Sequence, residues 1–160
     1  MSDAETLRRI PLEIFNAGRL ELIDECFAPD YIEHVAPPPG VPSRIDGLRV
    51  LVAALRAAFP DLRYEVVQQL QDGDTHVGHV QVSGTMSGDF AGMPATGKAA
   101  TWQEIHIAKF RDGKLAEHWA VQDRLGMLQQ LGPGTGAGRV VVATTARSKS
   151  SPASGFGVFG

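Results

Sequence analysis

Glu104 and His106 are the pair of side chains in this sequence that is best suited to acid/base chemistry. In a β-strand, residues i and i+2 project from the same face, so both groups can reach one bound ligand. Burial raises the pKa of a glutamate toward neutrality, and histidine titrates close to neutrality, so the pair can move protons at physiological pH. The alternative is a hydrogen-bonded pair that only stabilises the wall of a pocket.

Asp123 and His34 are further acid/base candidates. Asp123 immediately precedes a helical pattern, so capping of that helix is the more common role for it. His34 lies in a short extended segment, where a base, a ligand contact and a solvated loop histidine are all open. Aromatic, thioether and polar side chains extend the set of candidate ligand contacts. These residues are Tyr31, Phe90, Met93, Trp102, His118 and Trp119.

The composition excludes several other classes of protein. The single Cys26 cannot form an internal disulfide, no Cys/His cluster has zinc spacing, and the glycine-rich stretches lack nucleotide-binding motifs. All 18 acidic residues but only 12 of the 15 basic ones lie in residues 1–132, and this acidic part repels nucleic acid. The acidic N-terminus is unlike a signal peptide, and no apolar run reaches the roughly 20 residues of a membrane span. A cytoplasmic protein without a membrane segment is expected.

Apolar residues at helical spacing predict four helices. Ser2 and Glu5 have the spacing of a capping box, and Pro11 should kink the helix that they begin. The predicted helices run from Ser2 to Asn16, from Leu20 to Phe27, from a cap at Asp46 to Phe59, and from Arg124 to Leu131.

After Pro60 the apolar period changes from 3.6 to 2, which predicts β-strands. The predicted strands are Leu62–Gln71, Thr75–Met86, Ala99–Arg111 and Lys114–Gln122, with a short extended piece at Tyr31–His34. Asp72-Gly73 and Asp112-Gly113 predict tight hairpins, so these strands are antiparallel neighbours. The order indicates an α+β fold, in which three N-terminal helices cover one face of a curved sheet and a pocket forms between them.

The alternation places Trp102, Glu104, His106, Ala108 and Phe110 on the pocket side of their strand. We expect one domain over residues 1–132. In residues 133–160, Gly, Pro, Ser and Thr occupy 15 of 28 positions, which predicts a disordered tail.

Five local strings extend along residues 1–132: FNAGR at 15–19, PDY at 29–31, GMPATGK at 92–98, DGKLAEHW at 112–119 and LQQLG at 128–132. With the order of elements, they resemble the SnoaL-like polyketide cyclase family, which is part of the nuclear-transport-factor-like and ketosteroid-isomerase-like superfamily. The resemblance implies a cone-shaped α+β fold, a homodimer, and a pocket for a hydrophobic small molecule. It also implies catalysis without a metal or an organic cofactor.

The same resemblance implies positions for the site. In the aromatic polyketide cyclases of the family, an aspartate on the last strand is the general acid/base of an intramolecular aldol ring closure. Its position falls on Ala120, which cannot move a proton. The family's pocket histidine falls on His106, a pocket amide on Glu104, and a pocket asparagine on Glu33.

Three functions are consistent with these residues. In a cyclase, His106 would polarise or reprotonate a carbonyl oxygen, and Glu104, helped by Asp123 or His34, would remove the α-proton. In a binding protein, the pocket would remain without catalysis, as Ala120 permits. An epoxide hydrolase or isomerase is the third option, although the Asp-Arg-Asp set of limonene-type epoxide hydrolases is not recognisable here.

Two features of the predicted site have alternatives. A two-residue turn at Asp112-Gly113 would pair His106 with Trp119, whereas a three-residue loop would pair His106 with His118 and Glu104 with Ala120. The family pocket favours the second register. Desolvation alone would raise the pKa of Glu104, whereas pairing with a protonated His106 would lower it.

Overall fold

The computed structural model describes residues 2–37, 41–42 and 44–132, and its elements follow the predicted order. The helices are α1 (Asp3–Arg9), which continues as a π-helical segment (Ile10–Asn16), a 3-10 turn (Leu20–Leu22), α2 (Ile23–Cys26), α3 (Arg44–Ala58) and α4 (Arg124–Leu131). The strands are β1 (Phe27–Glu33), β2 (Arg63–Asp72), β3 (Thr75–Thr85), β4 (Ala99–Arg111) and β5 (Lys114–Gln122). The tail predicted for residues 133–160 lies outside the described residues. Within the described part, no helix is both long and apolar enough to cross a membrane.

The N-terminal helices differ from prediction in their local form. The capping box is confirmed, with Ser2 N donating to Glu5 Oε2 at 2.8 Å. At Pro11, which has no N–H, the chain forms π-helical turns rather than a simple kink. Phe27 was predicted to be helical and is the first residue of β1 instead. Asp46 was predicted to cap α3 but lies in its first turn, because α3 begins at Arg44.

The five strands form one sheet in the order β1-β5-β4-β3-β2, and the helices lie against its inner face. β1 runs parallel to β5, and all other neighbours are antiparallel. Two groups of buried apolar side chains form the core. The Trp102 cluster includes Phe59 and Leu131, and the Phe110 cluster includes Ile14 and Tyr31. The α+β architecture with N-terminal helices and a short C-terminal helix is thus confirmed.

The register between β4 and β5 corrects the prediction of a three-residue loop. Asp112 and Gly113 form a two-residue turn, both with positive φ (53° and 74°), as a type I′ hairpin requires. The register then shifts, because β5 contains an extra residue at Ala116 that has no partner in β4. His106 therefore lies opposite Ala120, and Glu104 lies opposite Gln122.

Two side-chain amides form hydrogen bonds with backbone N–H and C=O groups at open strand edges. Asn16 Nδ2 donates to Tyr64 O at 2.9 Å, and its Oδ1 accepts from Tyr64 N at 2.7 Å, on the free edge of β2. Gln130 makes the same pair of bonds to Thr101, at 2.7 and 2.9 Å, where β4 extends past its pairing with β5. Each amide thus acts as a one-residue strand, because it has one donor and one acceptor side by side.

The Asn16 amide should contribute measurably to stability. In Asn16→Asp, a carboxylate cannot donate to Tyr64 O, so one part-buried carbonyl loses its partner. We expect the free energy of unfolding to fall by about 1–3 kcal/mol, measured by urea denaturation at pH 7. Gln68→Glu, the same amide-to-carboxylate change at an exposed position of β2, is the control. Equal effects of the two substitutions would show that the Tyr64 bonds contribute nothing.

Candidate active site

The inner face of β4 carries a buried carboxylate with polar partners. Glu104 is 3% exposed and Trp102 is 5% exposed, and both lie on the predicted face together with His106. The Trp102 indole Nε1 donates to Glu104 Oε1 at 2.7 Å, and Glu104 Oε2 lies 3.0 Å from His106 Nε2. The prediction that Glu104 and His106 share a face is confirmed, and the two side chains also lie within hydrogen-bond distance of each other.

The hydrogen bonds continue from His106 to the neighbouring strands. His106 Nδ1 lies 2.9 Å from His118 Nε2, and His118 Nδ1 lies 3.0 and 2.9 Å from the two carboxylate oxygens of Glu33. Glu33 is brought there because it is the register partner of His118 in the parallel pairing of β1 with β5. The Tyr31 hydroxyl donates to Glu33 Oε2 at 2.5 Å. We call the four groups Glu104, His106, His118 and Glu33 the relay.

The relay leads from the interior toward the surface. The Glu104 side chain is 3% exposed, whereas those of His106, His118 and Glu33 are 21%, 17% and 25% exposed. At the outer end, a surface depression of about 320 Å³ is lined by Tyr31, Ile32, Glu33 and Arg44. Glu33 is the relay group that lines this depression, His106 and His118 are partly exposed, and Glu104 is closed off from solvent.

Glu104 is ionised despite its burial. Burial alone raises the pKa of this carboxyl group, but the hydrogen bond and charge of His106 and hydrogen bonds from Trp102 and Gln122 together lower it below its ordinary value. Of the two alternatives left open by the sequence, desolvation and pairing with His106, the pairing determines the direction in which the pKa of Glu104 is shifted.

Glu33, at the other end of the relay, is also a carboxyl group whose pKa is lowered despite its burial. Burial raises its pKa, and the hydrogen bond and charge of His118 with the hydrogen bonds from Tyr31 and Val35 N reverse the shift, so the net pKa is lowered. The relay thus has an ionised carboxylate at each end.

Two buried tyrosines lie beside these carboxylates. Burial, and then the charge of Glu33, raises the pKa of Tyr31. Burial, and then the charge of Glu104, raises the pKa of Tyr64. Both phenols therefore keep their protons.

Ala120 and Gln122 lie next to the relay on β5. Ala120, the position that the family resemblance gives to the catalytic aspartate, lies directly opposite His106 and contributes only a methyl group. Gln122 was not among the predicted site residues, because the predicted register paired Glu104 with Ala120. Its alternation with His118 and Ala120 on β5 is the signal that could have found it.

His34 and Trp119 lie together on the opposite face of the sheet. Their rings stack 4.2 Å apart with an interplanar angle of 3°, and His34 Nε2 lies 3.1 Å from Glu117. Trp119 pairs with the exposed Ile107, so it projects from the outer face. The structure therefore does not bring these two candidates to the relay.

Asp123, Phe90 and Met93 also lie apart from the relay. The Asp123 carboxylate accepts from Gly126 N at 2.8 Å, so its role as the cap of α4 is confirmed. In the segment that connects β3 to β4, Phe90 and Met93 pair with each other as an isolated β-bridge and pack against the Trp102 cluster. Their role as ligand contacts stays a prediction. Among residues 2–37, 41–42 and 44–132, no group of three or more potential ligands could hold a metal ion.

Comparison with known proteins gives one consistent result. The family model described as SnoaL-like polyketide cyclase matches residues 5–131. The nogalonic acid methyl ester cyclase of Streptomyces nogalater is 30% identical over 119 residues, which cover 74% of this chain and 89% of that protein. The aklanonic acid methyl ester cyclase DnrD of Streptomyces peucetius is 28% identical over 139 residues, which cover 82% and 92% of the two chains.

Solved structures have the same fold. TsrD from Streptomyces laurentii has a TM-score of 0.73 and 29% identity, covering 81% of this chain and 95% of that one. IdmH from Streptomyces antibioticus has a TM-score of 0.71 and 32% identity, covering 82% and 99%.

Proposed function

The chain belongs to the SnoaL-like polyketide cyclase family, and from this premise we propose that it is an enzyme that closes a ring in a hydrophobic carbonyl compound by an intramolecular aldol-type reaction. The observation that carries the proposal is the relay, in which two imidazoles are hydrogen-bonded between two carboxylates. Three of its members, Glu33, Glu104 and His106, are the positions that the resemblance assigns to the pocket. We propose as substrate the methyl ester of a polyketide acid, since two relatives are named as cyclases of such esters.

His106 is the group that we assign to the α-proton. An aldol closure needs a base for the α-carbon and an acid for the acceptor oxygen, and it involves no net oxidation or reduction, so it needs no redox cofactor. The sequence suggested Glu104 as the base, but Glu104 is buried, has a lowered pKa, and is hydrogen-bonded through both oxygens. Glu104 instead fixes the orientation of the imidazole and stabilises the imidazolium that forms.

Turnover of aklanonic acid methyl ester tests the proposal. Ring closure conserves mass, so the product is followed by chromatography as an isomer of the substrate. We expect the native protein to produce this isomer and a protein-free sample to lack it at the same pH. Absence of turnover on both nogalonic and aklanonic methyl esters would contradict this substrate class.

A binding protein without catalysis is the second candidate, and Ala120 is the observation that favours it. The substitution Ala120→Asp distinguishes an enzyme from a binding protein without catalysis. For an enzyme that works through the relay, a third carboxylate opposite His106 should lower kcat by at least about tenfold, because it competes for the imidazole protons. Ala120→Asn, which has similar size but no charge, is the control. Activity that appears only in Ala120→Asp would instead show that the native chain binds without catalysis.

The homodimer implied by the family resemblance stays a prediction. The outer face of the sheet exposes apolar side chains that a partner would cover. They are Val67, Leu70, Ile105, Ile107 and Val121.

A further inference from the structure

The hydrogen-bond geometry of the relay fixes how many protons it holds. Each of its three contacts needs one hydrogen between two heavy atoms. Because Glu104 and Glu33 are both carboxylates, His106 Nε2 and His118 Nδ1 must be the donors to them. The two remaining nitrogens, His106 Nδ1 and His118 Nε2, then lie 2.9 Å apart. Without a third hydrogen, two lone pairs would face each other at that distance.

We propose that His106 and His118 together bind three protons at neutral pH and act as the general base and the general acid of one reaction. Four groups with three protons carry a net charge of −1, so the relay contains one imidazole and one imidazolium between two carboxylates. Among the described residues, two other ionisable groups act on the carboxylates of the relay, Tyr31 and Tyr64, and both phenols keep their protons. Arg44 lines the same depression as Glu33.

This inference rests on the proposed function and adds a catalytic role for His118. Substrate binding replaces the bond between the rings by contacts to the α-carbon and the acceptor oxygen. His106 takes the α-proton, and the electron pair of the broken C–H bond forms the new C–C bond. The π electron pair of the acceptor carbonyl moves to its oxygen, which takes a proton from His118. One proton is removed and one is delivered, so the reaction is balanced.

The relay also explains how the site is reset. After ring closure, His106 is the imidazolium and His118 is neutral. When the product leaves, the two rings form their hydrogen bond again, and one proton passes between nitrogens 2.9 Å apart. The starting state returns without exchange with solvent. Glu33 is a positioning residue in this scheme, because its charge holds the proton on His118.

The proton count is measured in the full-length, ligand-free protein by NMR of ¹⁵N-labelled histidine between pH 5 and 9. Signals of the five histidines are assigned by single replacements. At pH 7 we expect three N–H protons on the four ring nitrogens of His106 and His118. One of them is shared between His106 Nδ1 and His118 Nε2, and its NMR signal should lie far downfield. Two neutral imidazoles at pH 7 would overturn the proposal.

Glu33→Gln tests the link to catalysis, with Glu117→Gln as the matched control. Glu117 also holds a histidine, His34, at 3.1 Å, but on the outer face. We expect Glu33→Gln to lose the third proton at pH 7 and to lower kcat about a hundredfold with little change in KM. Glu117→Gln should change neither the number of protons on the two imidazoles nor kcat. Full kcat in Glu33→Gln would overturn the role of His118 as acid. A native protein with three protons but no turnover would contradict the proposed function and leave the proton count standing.

Discussion

Replacement of His106 by glutamine is expected to lower kcat by about a hundred- to ten-thousandfold, the usual contribution of a positioned proton-transfer group. Glutamine retains hydrogen-bonding atoms toward Glu104 and His118 but cannot accept the α-proton. The measurement is the rate of isomer formation at saturating substrate, with circular dichroism to show that the variant is folded.

His79→Gln is the control for this experiment. His79 lies on the neighbouring strand, where Nε2 bonds to Gln103 at 2.6 Å on the outer side of the sheet. We expect the control to have native kcat. If both variants retained native turnover, His106 would not be the base.

Replacement of Glu104 by glutamine is expected to lower the free energy of unfolding by about 1–3 kcal/mol at pH 7, the usual cost of leaving a buried hydrogen-bonding group without its partner. The His106 imidazole would lose the carboxylate oxygen that accepts from its Nε2. In addition, the single amide oxygen of glutamine would face donors from Trp102, His106 and Gln122, so at least one donor would be unsatisfied.

The same substitution has a defined pH dependence. The pKa of Glu104 is lower in the folded than in the unfolded protein, where a glutamate titrates near about 4.3. Its charge therefore contributes stability that is present above that value and is lost as pH falls through the folded pKa. Urea denaturation between pH 3 and 7 should show the difference between native and Glu104→Gln shrinking on acidification.

Glu65→Gln is the control for stability. Glu65 pairs with Arg63 at 2.8 Å on an exposed part of β2, so its loss should cost about 0–1 kcal/mol. A Glu104→Gln variant that is more stable than the native protein above neutrality would mean that desolvation, not pairing with His106, dominates at Glu104.

Local signals in the sequence were sufficient for much of the fold. The bounds predicted for β4, β5 and α4 agree with the structure, because alternation and flanking turn residues determine where these elements begin and end. The face shared by Glu104 and His106 follows from the same alternation. The cap at Asp123 follows from the preference of aspartate for the start of a helix.

The parts of the site that depend on long-range pairing were not predictable in this way. The extra residue at Ala116 has no strong local signal, so the register that places Gln122 opposite Glu104 was missed. The contact between Glu33 and His118 depends on the parallel pairing of β1 with β5, whose register no turn sets. The stacking of His34 on Trp119 at the outer face depends on that pairing as well.

The Asn16 amide has a consequence for the chemical stability of the protein during storage. Free strand edges recruit strands from other molecules, and Asn16 occupies both outward-facing backbone groups of Tyr64 on such an edge. Spontaneous deamidation would convert this side chain into a carboxylate, which repels the carbonyl that it now binds. Stored protein would then accumulate molecules with an unblocked edge. We expect peptides with deamidated residue 16 to be enriched in aggregates relative to the soluble fraction, as measured by mass spectrometry.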